Sequence, residues 1–102
     1  MKEYNKLVRD LIPQIIVSSG GTPVCEELDE SAYKLALCKK LTEEANEFAD
    51  GPCMEELADL LEVVEAVCHA YSYDINEILS IKADKKTARG GFEKRILLKH
   101  VL

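Results

Sequence analysis

The four cysteines include no close pair. Cys25, Cys38, Cys53 and Cys68 stand 13, 15 and 15 residues apart, with no Cys-x-x-Cys among them, so they read as reduced thiols rather than a zinc site or a disulfide frame. Histidine is nearly missing: His69 and His100 are the two present, and neither has metal-motif spacing, which sets a Cys/His centre aside. No apolar run approaches the roughly 20 residues that span a bilayer. The opening Met1-Lys2-Glu3-Tyr4-Asn5-Lys6 leads into no signal-peptide core, so the expected address is the cytoplasm. Basic charge is short as well, 13 Lys and Arg against 19 Asp and Glu for a net charge of −6. That argues against nonspecific binding along a nucleic-acid backbone, though not against one small polyphosphate held through a divalent cation. With no repeat, no low-complexity tract and no dividing linker, the 102 residues read as a single domain, 1–102.

What is present is helical. Lys6-Leu7-Val8-Arg9-Asp10-Leu11-Ile12 is ambiguous between a short strand and an early helical turn. Pro13 suits a first helical turn, giving a short helix over 13–19 that Gly20-Gly21 stops. Residues 22–28 read as extended. A long helix is expected over 30–49, capped by Asp29 or Ser31, with Tyr33, Leu37, Leu41, Ala45 and Phe48 as its apolar stripe. Asp50-Gly51-Pro52 breaks it. A second long helix follows over 53–71, with Leu57, Leu60, Leu61, Val64, Val67 and Cys68 on its inner face. Asp74 and Glu77 form a capping box for a third, which ends at Arg89 before Gly90-Gly91. The tail 92–102 is apolar enough to dock, as a short strand or against a neighbouring chain. The fold class is therefore mainly α, with short strands near the termini as the alternative to coil there.

The chemistry lies in Lys40-Leu41-Thr42-Glu43-Glu44-Ala45-Asn46-Glu47 and in Glu55-Glu56-Leu57-Ala58-Asp59. Glu44 with Glu47, and Glu56 with Asp59, are acidic pairs at i, i+3, so each pair shares one side of its helix. The break at Gly51-Pro52 predicts an antiparallel hairpin, in which Glu47 falls opposite Glu56 and Glu44 opposite Asp59. At about 100° per residue, Glu44 lies within about 20° of Leu37, inside the apolar stripe. Glu47 sits at the edge of that stripe and Glu43 further out. An inward carboxylate is costly unless something neutralises it, and no basic residue of these helices meets all four. A hard cation such as Mg²⁺, with Mn²⁺ as a substitute, prefers carboxylate oxygens and keeps positions open for water and phosphate. The bland alternative is a solvated acidic face, the reading kept for Glu43, Glu55, Glu62 and Glu65.

These two segments resemble the motif of the MazG-like all-α nucleotide pyrophosphohydrolases, a superfamily that also holds dimeric dUTPases and phosphoribosyl-ATP pyrophosphohydrolase. The flanks Tyr4-Asn5-Lys6-Leu7-Val8-Arg9-Asp10-Leu11-Ile12-Pro13 and Arg89-Gly90-Gly91-Phe92-Glu93-Lys94-Arg95-Ile96 look like a small subfamily of house-cleaning nucleotide pyrophosphatases. The resemblance implies Mg²⁺ on Glu44, Glu47, Glu56 and Asp59, with cleavage between the α- and β-phosphates of a nucleoside triphosphate. Glu43 or Glu47 would then position or deprotonate the attacking water. The spacer between Glu47 and Glu56 is shorter than the superfamily's, so the loop that often shapes the base pocket is nearly absent. Lys82, Lys85, Lys86 and Arg89 form a positive edge suited to phosphate, or a solvated helix end that complements the macrodipole. Lys6, Arg9 and Lys40 carry the same two readings, phosphate contact or ion pair, and Asp10 could cap the helix at Pro13. The apolar residues of the second long helix exceed what one hairpin covers, so a second copy is expected to complete a four-helix bundle, as a homodimer or higher oligomer. The competing functions are phosphoribosyl-ATP pyrophosphohydrolase and a non-catalytic helical dimerisation module.

Overall fold

A computed structural model describes residues 2–102, and those residues contain four helices and no strand. The protein is mainly α. It forms two compact units, one through Ser72 and one from Tyr73 onward.

The first unit is built on an antiparallel hairpin. α1 (Ile12–Ser18) has Pro13 in its first turn, and Gly20, at φ +89°, receives the chain as it leaves the helix. Its N-cap is Leu11 with no side-chain cap, so Asp10 does not take the capping role open to it. Residues 22–28 run without regular structure, as Pro23 and the β-branched neighbours dictate. α2 (Glu30–Asp50) starts at Asp29, whose carboxylate accepts the Ala32 amide at 2.8 Å; this decides the cap in favour of Asp29 over Ser31. α3 (Met54–Ala70) follows after the three residues 51–53 and packs on α2. At the far end of the hairpin, the Tyr71 hydroxyl meets Cys38 Sγ at 3.8 Å and the Lys34 ammonium lies 5.0 Å from the Tyr71 ring centre. All four cysteines are free.

Burial corrects the expected faces. Of the expected α2 stripe, Tyr33, Leu37, Leu41 and Phe48 are covered and Ala45 is exposed, while Glu44 is buried. From Leu37, steps of four, three and four bring Glu44, rather than Ala45, under the hairpin seam. Of the expected α3 face, Leu60, Val64, Val67 and Cys68 are covered, with Glu56 and Val63 beside them, whereas Leu57 and Leu61 are 44% and 58% exposed. Seventeen residues of mixed apolar sequence offer several stripes, and the seam selects the one that carries Glu56.

The second unit comprises α4 (Ile75–Arg89) and the tail. The Asp74 carboxylate accepts the Asn76 amide at 2.8 Å, and the helix ends at Gly90, at φ +85° and ψ 174°, a conformation close to glycine-only. After a turn closed by the Arg95 amide on the Phe92 carbonyl, the rest has no regular structure. The strand considered for the tail does not form: Phe92, Ile96, Leu97, Leu98 and Val101 are all exposed, and the described residues offer the tail no strand to pair with.

Candidate functional site

Glu44 is the centre of the acidic residues. It is 6% exposed, the one charged residue buried among those described. One oxygen each from Glu44, Glu56 and Asp59 lie within 4.8 Å of one another, and so do oxygens from Glu43, Glu44 and Glu47. Two triads share Glu44, the first across the helix seam and the second along the exposed edge of α2. The four motif acids therefore gather, with a difference from the mirrored pairing. Glu44 serves both Glu56 and Asp59, while Glu47 is exposed and joins through its own helix.

The charges on these acids are partly answered. Lys40, one turn earlier on α2, places its ammonium 3.3 Å from Glu44 Oε1 and 3.5 Å from Glu43 Oε1, so of its two expected roles the ion pair is the one observed. Lys6 Nζ donates to Glu43 Oε1 at 3.0 Å and Arg9 Nη2 donates to Asp59 Oδ1 at 2.8 Å. The Lys6 hydrogen bond is the main reason the Glu43 carboxyl lies below its ordinary range, and it raises the Lys6 ammonium in turn. Glu43, expected furthest out, is covered more than Glu47 because Lys6 and Lys40 both reach it. Nothing in helical periodicity indicates this, since Lys6 and Arg9 lie outside both long helices.

Two atoms remain without an answer. Oε2 of Glu44 and Oε2 of Glu56 are buried and have no hydrogen-bond partner. A buried carboxylate oxygen left so is costly, and both belong to the seam triad. The donor set is oxygen alone, three carboxylates converging from two rigid helices, which suits a hard divalent cation. On these grounds the residues fit such an ion.

Lys82, Lys85, Lys86 and Arg89 are exposed on α4, in the second unit, and Lys86 Nζ lies 4.0 Å from Glu93 Oε1. A shallow depression lined by Tyr33, Glu62, Glu65, Ala66, His69 and Ala70 contains none of the triad acids. No helix of the described residues is long and apolar enough to cross a membrane.

No protein-family description matches the chain, and no solved structure matches it. Over 42 residues, 41% of this chain, it is 50% identical to a protein of Mycolicibacterium smegmatis described as uncharacterized. The matched stretch is 43% of that protein, so the chain spans less than half the length of the curated relative it matches.

Proposed function

We propose that the protein is a Mg²⁺-dependent nucleoside triphosphate pyrophosphohydrolase of the cytoplasm, cleaving the α–β phosphoanhydride to a nucleoside monophosphate and pyrophosphate, and that it removes noncanonical or surplus nucleotides. The observation that carries this reading is the pair of buried, unpartnered oxygens on Glu44 and Glu56. Glu44, Glu56 and Asp59 would hold the cation across the seam, with Glu47 at its outer edge; Mn²⁺ would substitute. Bound there, the ion supplies Lewis-acid neutralisation of phosphate oxygens.

The chain's own residues divide the remaining work. A water-positioning base needs a free lone pair facing solvent. Glu43 is engaged by Lys6 and Lys40 and held acidic. Glu47 is exposed and has no ion pair or side-chain hydrogen bond among the described residues, so it is the better placed of the two. The exposed Leu57 and Leu61 favour a homodimer in which a second hairpin covers them.

The experiment is pyrophosphate release from a nucleotide panel with Mg²⁺ and Mn²⁺, beside thermal melts across millimolar Mg²⁺. We expect activity and a rise in melting temperature, both lost in Glu56→Ala. A melt indifferent to Mg²⁺ and to Glu56→Ala would overturn the reading. The Lys40–Glu44 pair favours a second reading in that event: a non-catalytic helical module whose acids are balanced within the chain.

A further inference from the structure

The acid cluster is reached from outside the hairpin by one short segment. Lys6 and Arg9 stand three residues apart before α1, yet their heads go to different helices, Lys6 to Glu43 on α2 and Arg9 to Asp59 on α3. Glu43 and Asp59 belong to the two triads that share Glu44. The segment therefore spans the seam and places a positive head on either side of it. Five carboxylates (Glu43, Glu44, Glu47, Glu56, Asp59) face three basic groups (Lys6, Arg9, Lys40). The remainder is two negative charges, matching one divalent cation.

The three basic groups are not equivalent. Lys40 is fixed on α2 and mostly covered, whereas the Lys6 and Arg9 side chains are 42% and 58% exposed. Ion pairs that open to water are worth about 1 kcal/mol or less each, so they exchange readily. A dication at the seam cancels the field that holds both heads. A guanidinium fork that fits a carboxylate also fits two phosphate oxygens, and an ammonium serves as a point charge for a third.

We infer that residues 4–10 form a counter-ion arm: Arg9 competes with a divalent cation for Asp59, Lys6 is held at Glu43 by the same negative field, and once the cation is bound both transfer to the oxygens of a polyphosphate. This rests on the reading of the seam triad as a cation site and adds to it how the phosphate chain is recognised. Cation and polyphosphate then bind in a preferred order, the cation first.

The test needs no turnover. Mn²⁺ binding to the full chain is followed by electron paramagnetic resonance, and inorganic triphosphate binding to the Mn²⁺-saturated protein by calorimetry. In Lys6→Ala/Arg9→Ala, Mn²⁺ alone should bind about three- to tenfold more tightly, the sum of two exposed pairs removed, and triphosphate at least about tenfold more weakly. Arg9→Gln alone should move both affinities the same way by less, and Arg9→Lys should recover part of the triphosphate affinity. Intact Mn²⁺ binding with either shift missing overturns the arm and leaves the cation site standing. Absence of Mn²⁺ binding in the unaltered protein, or binding indifferent to Glu56→Ala, removes the cation site and the arm together.

Discussion

Glu44 combines two properties that rarely coexist in a stable helix hairpin: its side chain is buried, and one of its oxygens has no partner. Lys40 satisfies the other oxygen, which lowers the cost of burial without removing it. Glu44→Gln should therefore raise the melting temperature of the metal-free protein by several degrees, since about 1 kcal/mol moves a domain of this size by about 4–8 °C. The same substitution should abolish the Mg²⁺-dependent rise, and melts with and without Mg²⁺ read both effects. At Glu43 the sign is opposite. Its carboxyl is held below the ordinary 4.5, mainly by the Lys6 hydrogen bond, and Lys6 is raised above its ordinary 10.5. The pair's contribution is thus present above 4.5, lost as pH falls through the depressed Glu43 value, and lost again as pH rises through the raised Lys6 value. Lys6→Met should destabilise at neutral pH by no more than about 1 kcal/mol and be neutral in strong acid, as denaturant titrations at several pH values would show. The burial of Glu44 was legible in the sequence because seven residues of helix return it to the azimuth of Leu37. The partners of Glu43 and Asp59 were not, because they lie 37 and 50 residues away and no local period reports such pairings.

Helix boundaries were legible to within a residue or two wherever a polar cap or a glycine marked them, as at Asp29, Asp74 and Gly90. The choice of face on α3 was legible in part: Leu60, Val64, Val67 and Cys68 are covered as expected, Leu57 and Leu61 are not. Leu57 and Leu61 are as apolar as Leu60 and Val63, and only contact with α2 decides which pair is covered. The energetic consequence falls on α2, where Leu37 is 2% exposed. Leu37→Ala should cost about 2–5 kcal/mol of unfolding free energy by denaturant titration, as expected for a fully enclosed leucine. Gly90→Ala should be unfavourable for a different reason. Open space surrounds the position, but its φ of +85° is one that an L side chain rarely adopts, at a cost of about 1–3 kcal/mol. Faster amide exchange in the last turn of α4 would report it.

Across the molecule, few apolar residues are enclosed: Leu37, Val63 and Cys68 are the buried hydrophobics described. That is a small core for 102 residues, and small chains commonly complete theirs by association. If a second hairpin covers α3, Leu57→Asp/Leu61→Asp should shift sedimentation from dimer to monomer at micromolar protein. Charge is divided as well. Six Lys and Arg oppose fifteen Asp and Glu through Ser72, a net of −9, while seven oppose four beyond it, a net of +3. This partition was readable from the sequence alone, whereas the division into two units was not, because no glycine- or proline-rich linker marks Ser72. The two kinds of contact around the acids also differ in how soon a folding chain can make them. The helix hairpin closes through a three-residue turn, while the Lys6 and Arg9 pairs must close loops many times longer, at a greater entropic cost before any reward. Substitutions at Lys6 and Arg9 should then leave the refolding limb of a chevron plot in place and steepen only the loss of native protein, raising the unfolding rate.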